Sequence, residues 1–477
     1  MNADSDSLVS RLAAIVGRNG LITDRAQLEP FETEWRGRYK GKARLVVRPA
    51  NTDEVAAVVK LCAAEGVAIV PQGGNTGLCE GATPDASGEQ VVLSLARMNN
   101  IRAIDPLDFT MTVEAGVVLQ TIQEKAREAG CFFPLSLGAQ GTCQIGGNIS
   151  TNAGGVGVLR YGSTRALVLG LEVVLPDGAI WDGLKSLGKD NTGYDLRQFF
   201  VGAEGTLGVI TAAVLKLFPL PTDIQTAFVA LADLETALPL LKRARATSSD
   251  QVTAFEVLPR FGIELAMKYL PGVIDPIDTP HAWYALIDLS TSRPGGSLRD
   301  TMEQLLADAI EAGEATDAVV ANSIEQRKAL WRIREELPEA QRRAGGVLHH
   351  DASVPTSDVA AFIRRTQKAV EAADPSARCL PFGHLGDGNI HFSIVQPEGG
   401  DADAFYAKEH VLTPIVFDTA VAMRGSFSAE HGVGRLKLDE LDRYKNPVDL
   451  ALMRQIKRAL DPQGLMNPGK VVRAGNR

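Results

Sequence analysis

The sequence predicts an α+β protein of more than one domain, and three observations carry that expectation. Strand, helix and glycine loop recur up to residue 220. Past Pro219-Leu220-Pro221, helical stretches rich in Ala, Leu, Arg and Glu take over, with strands such as Ala282-Trp283-Tyr284-Ala285-Leu286-Ile287 between them. At 477 residues the chain also exceeds what one hydrophobic core encloses.

The first 40 residues read as an N-terminal helical segment. A helix then begins at Thr52, which can cap it; Asp53 and Glu54 suit its first turn, and Gly66 ends it. Val67-Ala68-Ile69-Val70 follows as a buried strand stopped by Pro71, and Gln72 to Gly77 is a loop of residues that tolerate positive φ. Met111 to Ala115 and Leu171 to Leu175 read as strands, and Leu119 to Ala129 as a helix closed by Gly130. Between those strands, Pro134 to Gly155 has no apolar period, and an ordered loop of that length inside a domain points to binding rather than to a linker. A last helix spans Leu450 to Leu460 and ends at Asp461-Pro462.

Composition narrows the function. Hydrophobic residues at 45% and charged residues at 22% are ordinary for a globular protein, and a net charge of -9 offers no basic face for nucleic acid. An anionic substrate would therefore need local cations. The five cysteines are scattered without a CxxC pair, so neither a disulfide framework nor a thiolate zinc site is expected, and a reducing, cytoplasmic location fits. No stretch approaches the roughly 18 apolar residues of a spanning helix, and the N-terminus resembles neither a secretory signal nor a transit peptide; a soluble chain is expected.

No GxGxxG string follows a strand, and no Walker A sequence is present. Three glycine-rich loops remain, at 71 to 77, 138 to 155 and 202 to 208. One such loop is no more specific than a tight turn, but several can surround a long anionic cofactor with backbone N–H groups. The strings Pro71-Gln72-Gly73-Gly74-Asn75-Thr76-Gly77, Ile145 to Gly155, Lys189 to Leu196 and Gly202 to Thr211 together resemble the FAD-binding domain of the vanillyl-alcohol oxidase and p-cresol methylhydroxylase type. Within it, most of residues 40 to 475 is similar to the FAD-linked D-2-hydroxyacid dehydrogenases, the D-2-hydroxyglutarate dehydrogenases above all.

That resemblance implies an FAD-binding domain of two α+β subdomains at 41 to 220. It also implies an α+β cap domain at 221 to 423 and a C-terminal helical segment, 424 to 477, packing back on the FAD domain. It assigns FAD contacts to Pro71, Gln72, Gly73, Gly74, Asn75, Thr76, Gly77 and Leu78 in the first loop, and to Leu137, Gly138, Gly141, Thr142, Ile145, Gly146, Gly147, Ile149, Thr151, Asn152, Gly154 and Gly155 in the second. Glu204, Gly205, Gly208, Val209 and Ile210 in the third loop, with Asn467, complete the set. The FAD is expected to be noncovalent, because no histidine precedes His281 and nothing marks Cys79 as an activated thiol.

Four of the seven histidines fall between His384 and His431. His384 and His391 flank the turn Gly386-Asp387-Gly388-Asn389, so their imidazoles can converge. Either histidine could be a satisfied structural residue, but with Glu430 they form a His, His, Glu set that leaves a coordination position open, which favours a metal. The resemblance gives His384, His391 and Glu430 as ligands of a divalent metal, zinc foremost, and His431 as the base beside the substrate. Oxidising a 2-hydroxy acid removes the hydroxyl proton and transfers a hydride from the same carbon to flavin N5. A metal can lower an oxygen-bound proton's pKa from 15.7 towards about 7.

For the anionic substrate, Arg327, Lys328, Arg332 and Arg334 share a helix, and Arg334 matches the family's carboxylate-binding arginine. His349 stands where the family has a lysine, Ser393 where it has an asparagine and Pro338 where it has a threonine. Arg334, His349, Ser393 and His431 are thus the substrate-binding candidates. The expected activity is oxidation of a D-2-hydroxy acid to the 2-oxo acid, D-2-hydroxyglutarate or D-malate first and D-lactate next. A flavin-dependent transferase like alkylglycerone-phosphate synthase, or a noncatalytic flavin-binding subunit of a dehydrogenase complex, is the alternative. The resemblance suggests an electron-transfer flavoprotein or another acceptor as partner; oligomeric state stays open, a homodimer being one candidate.

Overall fold

Runs of β-branched and aliphatic residues buried on both faces set the central strands. Ala43–Val47 and Gln90–Ser94 pair in parallel, and their Leu45, Val46, Val47, Val91, Val92 and Leu93 are fully enclosed. The computed structural model describes residues 3–295 and 297–473, which divide into two compact units.

The first unit takes the chain up to Gly155, Gly162–Leu220 and the chain from Glu430 onward. It holds a four-stranded sheet in the order Leu21–Ile22, Ala43–Val47, Gln90–Ser94, Ile69–Gln72. A five-stranded antiparallel sheet runs Ile101–Asp105, Thr110–Glu114, Val209–Lys216, Val168–Val174, Ile180–Gly183. These are two α+β layers, each with its own sheet.

Two local expectations are corrected here. Pro71 does not stop its strand: Ile69–Gln72 runs through it, because this strand is last in its sheet and the N–H that proline lacks is not needed by a further neighbour. The helix Thr52–Ala64 is capped by Asn51, whose side chain accepts the Glu54 N–H at 2.9 Å while Glu54 accepts the Ala50 N–H at 2.8 Å. The Thr52 hydroxyl instead donates to Glu172 at 2.6 Å.

The second unit comprises Val156–Tyr161 and Pro221–Ala429. Its seven-stranded sheet is antiparallel throughout, in the order Ala315–Val320, Asp223–Leu231, Trp283–Thr291, Val252–Pro259, Arg378–His384, Asn389–Val395, Val347–Ser353. Helices Arg260–Tyr269, Ile324–Glu335 and Leu337–Ala344 join a core with Phe228, Tyr284, Leu286, Leu380 and Phe382 on one face of that sheet. Phe362 and Phe417, from helices Val359–Ala373 and Glu409–Ala422, pack on Phe392 and His350 of the opposite face. The boundaries differ in two places from those expected at 220 and 423. Val156–Tyr161 goes with the second unit, where Arg160 donates to the Ser290 hydroxyl at 3.1 Å. Residues 424 to 429 stay there too, because Ser353 and Ser426 exchange backbone hydrogen bonds of 3.0 and 2.7 Å. Among the described residues, no helix is long and apolar enough to cross a membrane.

Candidate functional site

The glycine loops of the first unit meet backbone to backbone. A Cβ on Gly74 would lie 2.3 Å from the Thr142 carbonyl oxygen, and one on Gly155, at φ 144°, would lie 2.1 Å from that of Ser136. Only glycine permits that approach. Gly77, Gly138 and Gly147 instead face open space. In the same unit Thr83 Oγ1, Gln144 Oε1, Asn148 Oδ1 and Asn467 Oδ1 are buried and have no hydrogen-bond partner among the described residues. The open backbone at those three glycines suits a long anionic cofactor, and FAD fits such a cradle.

Several side chains assigned to FAD do other work. Gln72 donates to the Phe31 and Ala82 carbonyls at 2.9 and 2.8 Å, and Asn75 donates to that of Thr33 at 2.8 Å. Glu204, at φ 50° and buried, accepts the Val433 and Gly434 N–H groups at 2.8 Å each. Burial raises its pKa, while those two N–H groups, Lys437 and Lys470 act in the opposite direction. The Gln72 and Asn75 amide nitrogens and the Glu204 carboxylate are thus engaged within the protein.

Glu204 belongs to a clamp on the segment that follows Glu430 and His431. Cys79 accepts the Arg435 N–H at 2.9 Å through its carbonyl oxygen, Glu80 accepts from the Arg435 guanidinium at 2.7 Å, and Asn467 donates to the Gly81 and Glu204 carbonyls at 2.9 and 2.7 Å. Glu430 itself lies against the second loop: a Cβ on Gly154 would stand 3.2 Å from its carboxylate.

In the second unit the antiparallel register brings the remaining candidates onto one sheet face in successive rows. Glu256 pairs with His384; Phe382 pairs with His391, and His391 with Asp351; Leu380 pairs with Ser393, and Ser393 with His349. The Glu256 carboxylate accepts from Arg334 Nε at 2.6 Å and lies 2.5 Å from His384 Nδ1. Burial alone would raise the Glu256 pKa, but the charges of His384 and Arg334 hold it at about 2. Nδ1 being engaged, Nε2 is the His384 nitrogen suited to a metal, the usual arrangement for a ligating histidine backed by a carboxylate. His384 and His391 present ring nitrogens within 4.8 Å of each other.

Asp351 is buried, accepts the Asn389 amide at 2.9 Å and the Ala429 N–H at 3.1 Å, and stands 3.9 Å from His391 Nδ1. It thereby fixes Ala429, the residue to which Glu430 and His431 are joined in sequence. Ser393 donates to Gln341 at 3.0 Å and lies 3.2 Å from His349 Nδ1, with Gln341 Nε2 unpartnered among the described residues. Arg327 and Arg332 are tied to Asp288 and Glu336, whereas Arg334 stacks on Phe382 at 4.7 Å and has no protein partner for its terminal nitrogens among the described residues. That leaves an Arg334 edge for a carboxylate.

Sequence reasoning missed Glu256, Asp351 and Gln341. One signal for Glu256 existed: it is the lone charge in the strand Val252–Pro259, all but one of whose residues are buried.

Comparison with known proteins agrees with the fold. The family described as FAD linked oxidases, C-terminal domain, matches residues 220–471, and an FAD binding domain family matches residues 43–183. A mitochondrial D-2-hydroxyglutarate dehydrogenase of Arabidopsis thaliana is 37% identical over 464 residues, spanning 97% of this chain and 81% of the relative. The D-2-hydroxyglutarate-pyruvate transhydrogenase of Saccharomyces cerevisiae is 35% identical, over 98% of this chain and 95% of its own. The structure of p-cresol methylhydroxylase with substrate bound superposes with a TM-score of 0.75 at 18% identity, covering 100% of this chain and 99% of that one. The expectation of a cytoplasmic location is overturned, since the Arabidopsis relative, like others from rice, cattle and rat, is named as mitochondrial.

Proposed function

Since the chain belongs to the FAD-linked oxidases, we propose that it is an FAD-dependent dehydrogenase of D-2-hydroxy acids, taking D-2-hydroxyglutarate or D-malate first and D-lactate next. The observation that carries this reading is the Arg334, Glu256, His384 array, in which one buried carboxylate bridges a guanidinium and an imidazole, an arrangement that suits a carboxylate bound beside a metal.

Arg334 binds the substrate carboxylate through its terminal nitrogens, and the stack on Phe382 fixes the guanidinium plane. His349, Ser393 and Gln341 offer hydrogen-bonding groups to the rest of the acid. His431 takes the hydroxyl proton at one of its ring nitrogens. FAD, when bound in the glycine cradle, supplies the hydride acceptor. His384, His391 and Glu430 would hold a divalent ion, zinc fitting the two-imidazole, one-carboxylate set, and that ion would supply Lewis-acid polarisation of the 2-hydroxyl. Electrons would leave to an electron-transfer flavoprotein or a second 2-oxo acid.

Anaerobic mixing with a panel of D-2-hydroxy acids is expected to bleach the bound flavin, and the L-enantiomers to leave it yellow. Prior chelation should abolish bleaching by acids but not by dithionite. If no acid reduces the flavin, the dehydrogenase reading is wrong. Arg334→Lys, which keeps the charge and loses the fork, is expected to raise the KM for the acid at least about tenfold with FAD content unchanged. An unaltered KM would remove Arg334 from the substrate site.

A further inference from the structure

Glu256 has no need to be charged for the sake of the fold. Its own strand brings Ala254 and Leu258 to the core beside it, where Phe228, Tyr284 and Leu286 also pack. A carboxylate only 1% exposed is costly to desolvate there, and buried ionic groups are often no better for stability than apolar ones of the same size. It nevertheless sits where two side chains from different elements meet, one oxygen on each: Oε1 on the His384 ring and Oε2 on Arg334 Nε.

We infer that Glu256 is the positioning residue that orients the metal-ligating His384 and the substrate-binding Arg334 at once, coupling ion and carboxylate recognition through one buried side chain. The inference rests on the metal and substrate roles proposed above. Oε1 fixes the His384 tautomer with the proton on Nδ1, so that Nε2 is the ligating nitrogen. Oε2 holds the guanidinium by Nε alone while its plane stacks on Phe382, which leaves the terminal nitrogens for a ligand. The two side chains come from different elements, the helix Ile324–Glu335 for Arg334 and the strand Arg378–His384 for His384. A bridge of this kind makes the acid site and the metal site share one support, so damage to it must reach both.

The test uses the FAD-loaded protein with two substitutions, Glu256→Gln and Glu256→Asp. Zinc affinity is measured by competition with a chromophoric chelator in the absence of any acid. Affinity for 2-oxoglutarate and pyruvate is measured separately on zinc-stripped protein, from the perturbation of the flavin absorbance. Glu256→Gln is expected to weaken zinc binding about 10- to 100-fold, the usual cost of losing a ligand's supporting carboxylate. It should also weaken 2-oxo acid binding in the stripped protein about tenfold, with flavin content unchanged. Glu256→Asp, charged but one methylene shorter, should recover one affinity and not both. Unchanged affinities in Glu256→Gln would overturn the inference. So would losses that merely follow a fall in FAD content and melting temperature. Wild-type protein that takes up no zinc sinks the metal reading itself, and is told apart because the stripped-protein arm still reports on Arg334.

Discussion

Replacing His431 with asparagine is expected to slow flavin reduction by a D-2-hydroxy acid about 100- to 10,000-fold, the usual worth of a general base, while FAD stays bound. Asparagine keeps a hydrogen-bonding group of similar size but cannot accept the hydroxyl proton. The FAD cradle should be indifferent, because its glycine contacts at Gly74 and Gly155 are made between residues 74 and 155 of the chain. Stopped-flow absorbance under anaerobic conditions reads the rate, and the flavin spectrum reads occupancy. A loss below about fivefold would take the base role from His431, and loss of the flavin would show the histidine to be a cradle residue instead. The clamp described above predicts the same selectivity in reverse: changes at Glu204 should disturb the His431 segment first, since its carboxylate accepts the Val433 and Gly434 N–H groups.

The chemistry of the site was more legible in the sequence than its support. Gly74 and Gly155 are demanded by backbone approaches that no other residue allows, so the loops they belong to stand out as composition. The pair His384 and His391 is visible because a Gly-Asp-Gly-Asn turn separates them, a local device. Glu256 lies 128 residues from His384 and 78 from Arg334, and only the register of antiparallel strands brings them together. Asp351 is hidden for the same reason: it meets His391 across a strand pair and Ala429 across 78 residues. Glu204 misleads in the other direction. Its glycine-rich surroundings suggest a ligand, yet its carboxylate is engaged by two N–H groups more than 200 residues away, and no local pattern reports that. Pro71 misleads because edge position is a property of the sheet, not of the strand.

Gly434→Ala is expected to be the most damaging single methyl group in the first unit. Gly434 has φ 53°, where an L-residue costs roughly 1 to 2 kcal/mol. Its new Cβ would stand 1.8 Å from the Cys79 carbonyl oxygen and 2.6 Å from the carbonyl carbon. That oxygen cannot swing aside freely, because it accepts the Arg435 and Leu436 N–H groups at 2.9 and 3.3 Å. Gly434 is held equally from its own side, its N–H on Glu204 at 2.8 Å and its carbonyl accepting the Val471 N–H at 2.9 Å. Overpacking of this kind typically adds about 1 to 3 kcal/mol, so the variant should melt several degrees lower. Relief of the clash shifts the segment after His431, and a displacement near 1 Å at a reacting group can cost about 100-fold in rate. Bleaching by a D-2-hydroxy acid should therefore fall at least that far, while dithionite still reduces whatever flavin is bound. Gly188→Ala, where nothing lies within 4 Å, serves as the neutral control. Gly434→Ala protein that melts and bleaches like the control would mean that the loop at Cys79 does not fix the segment after His431.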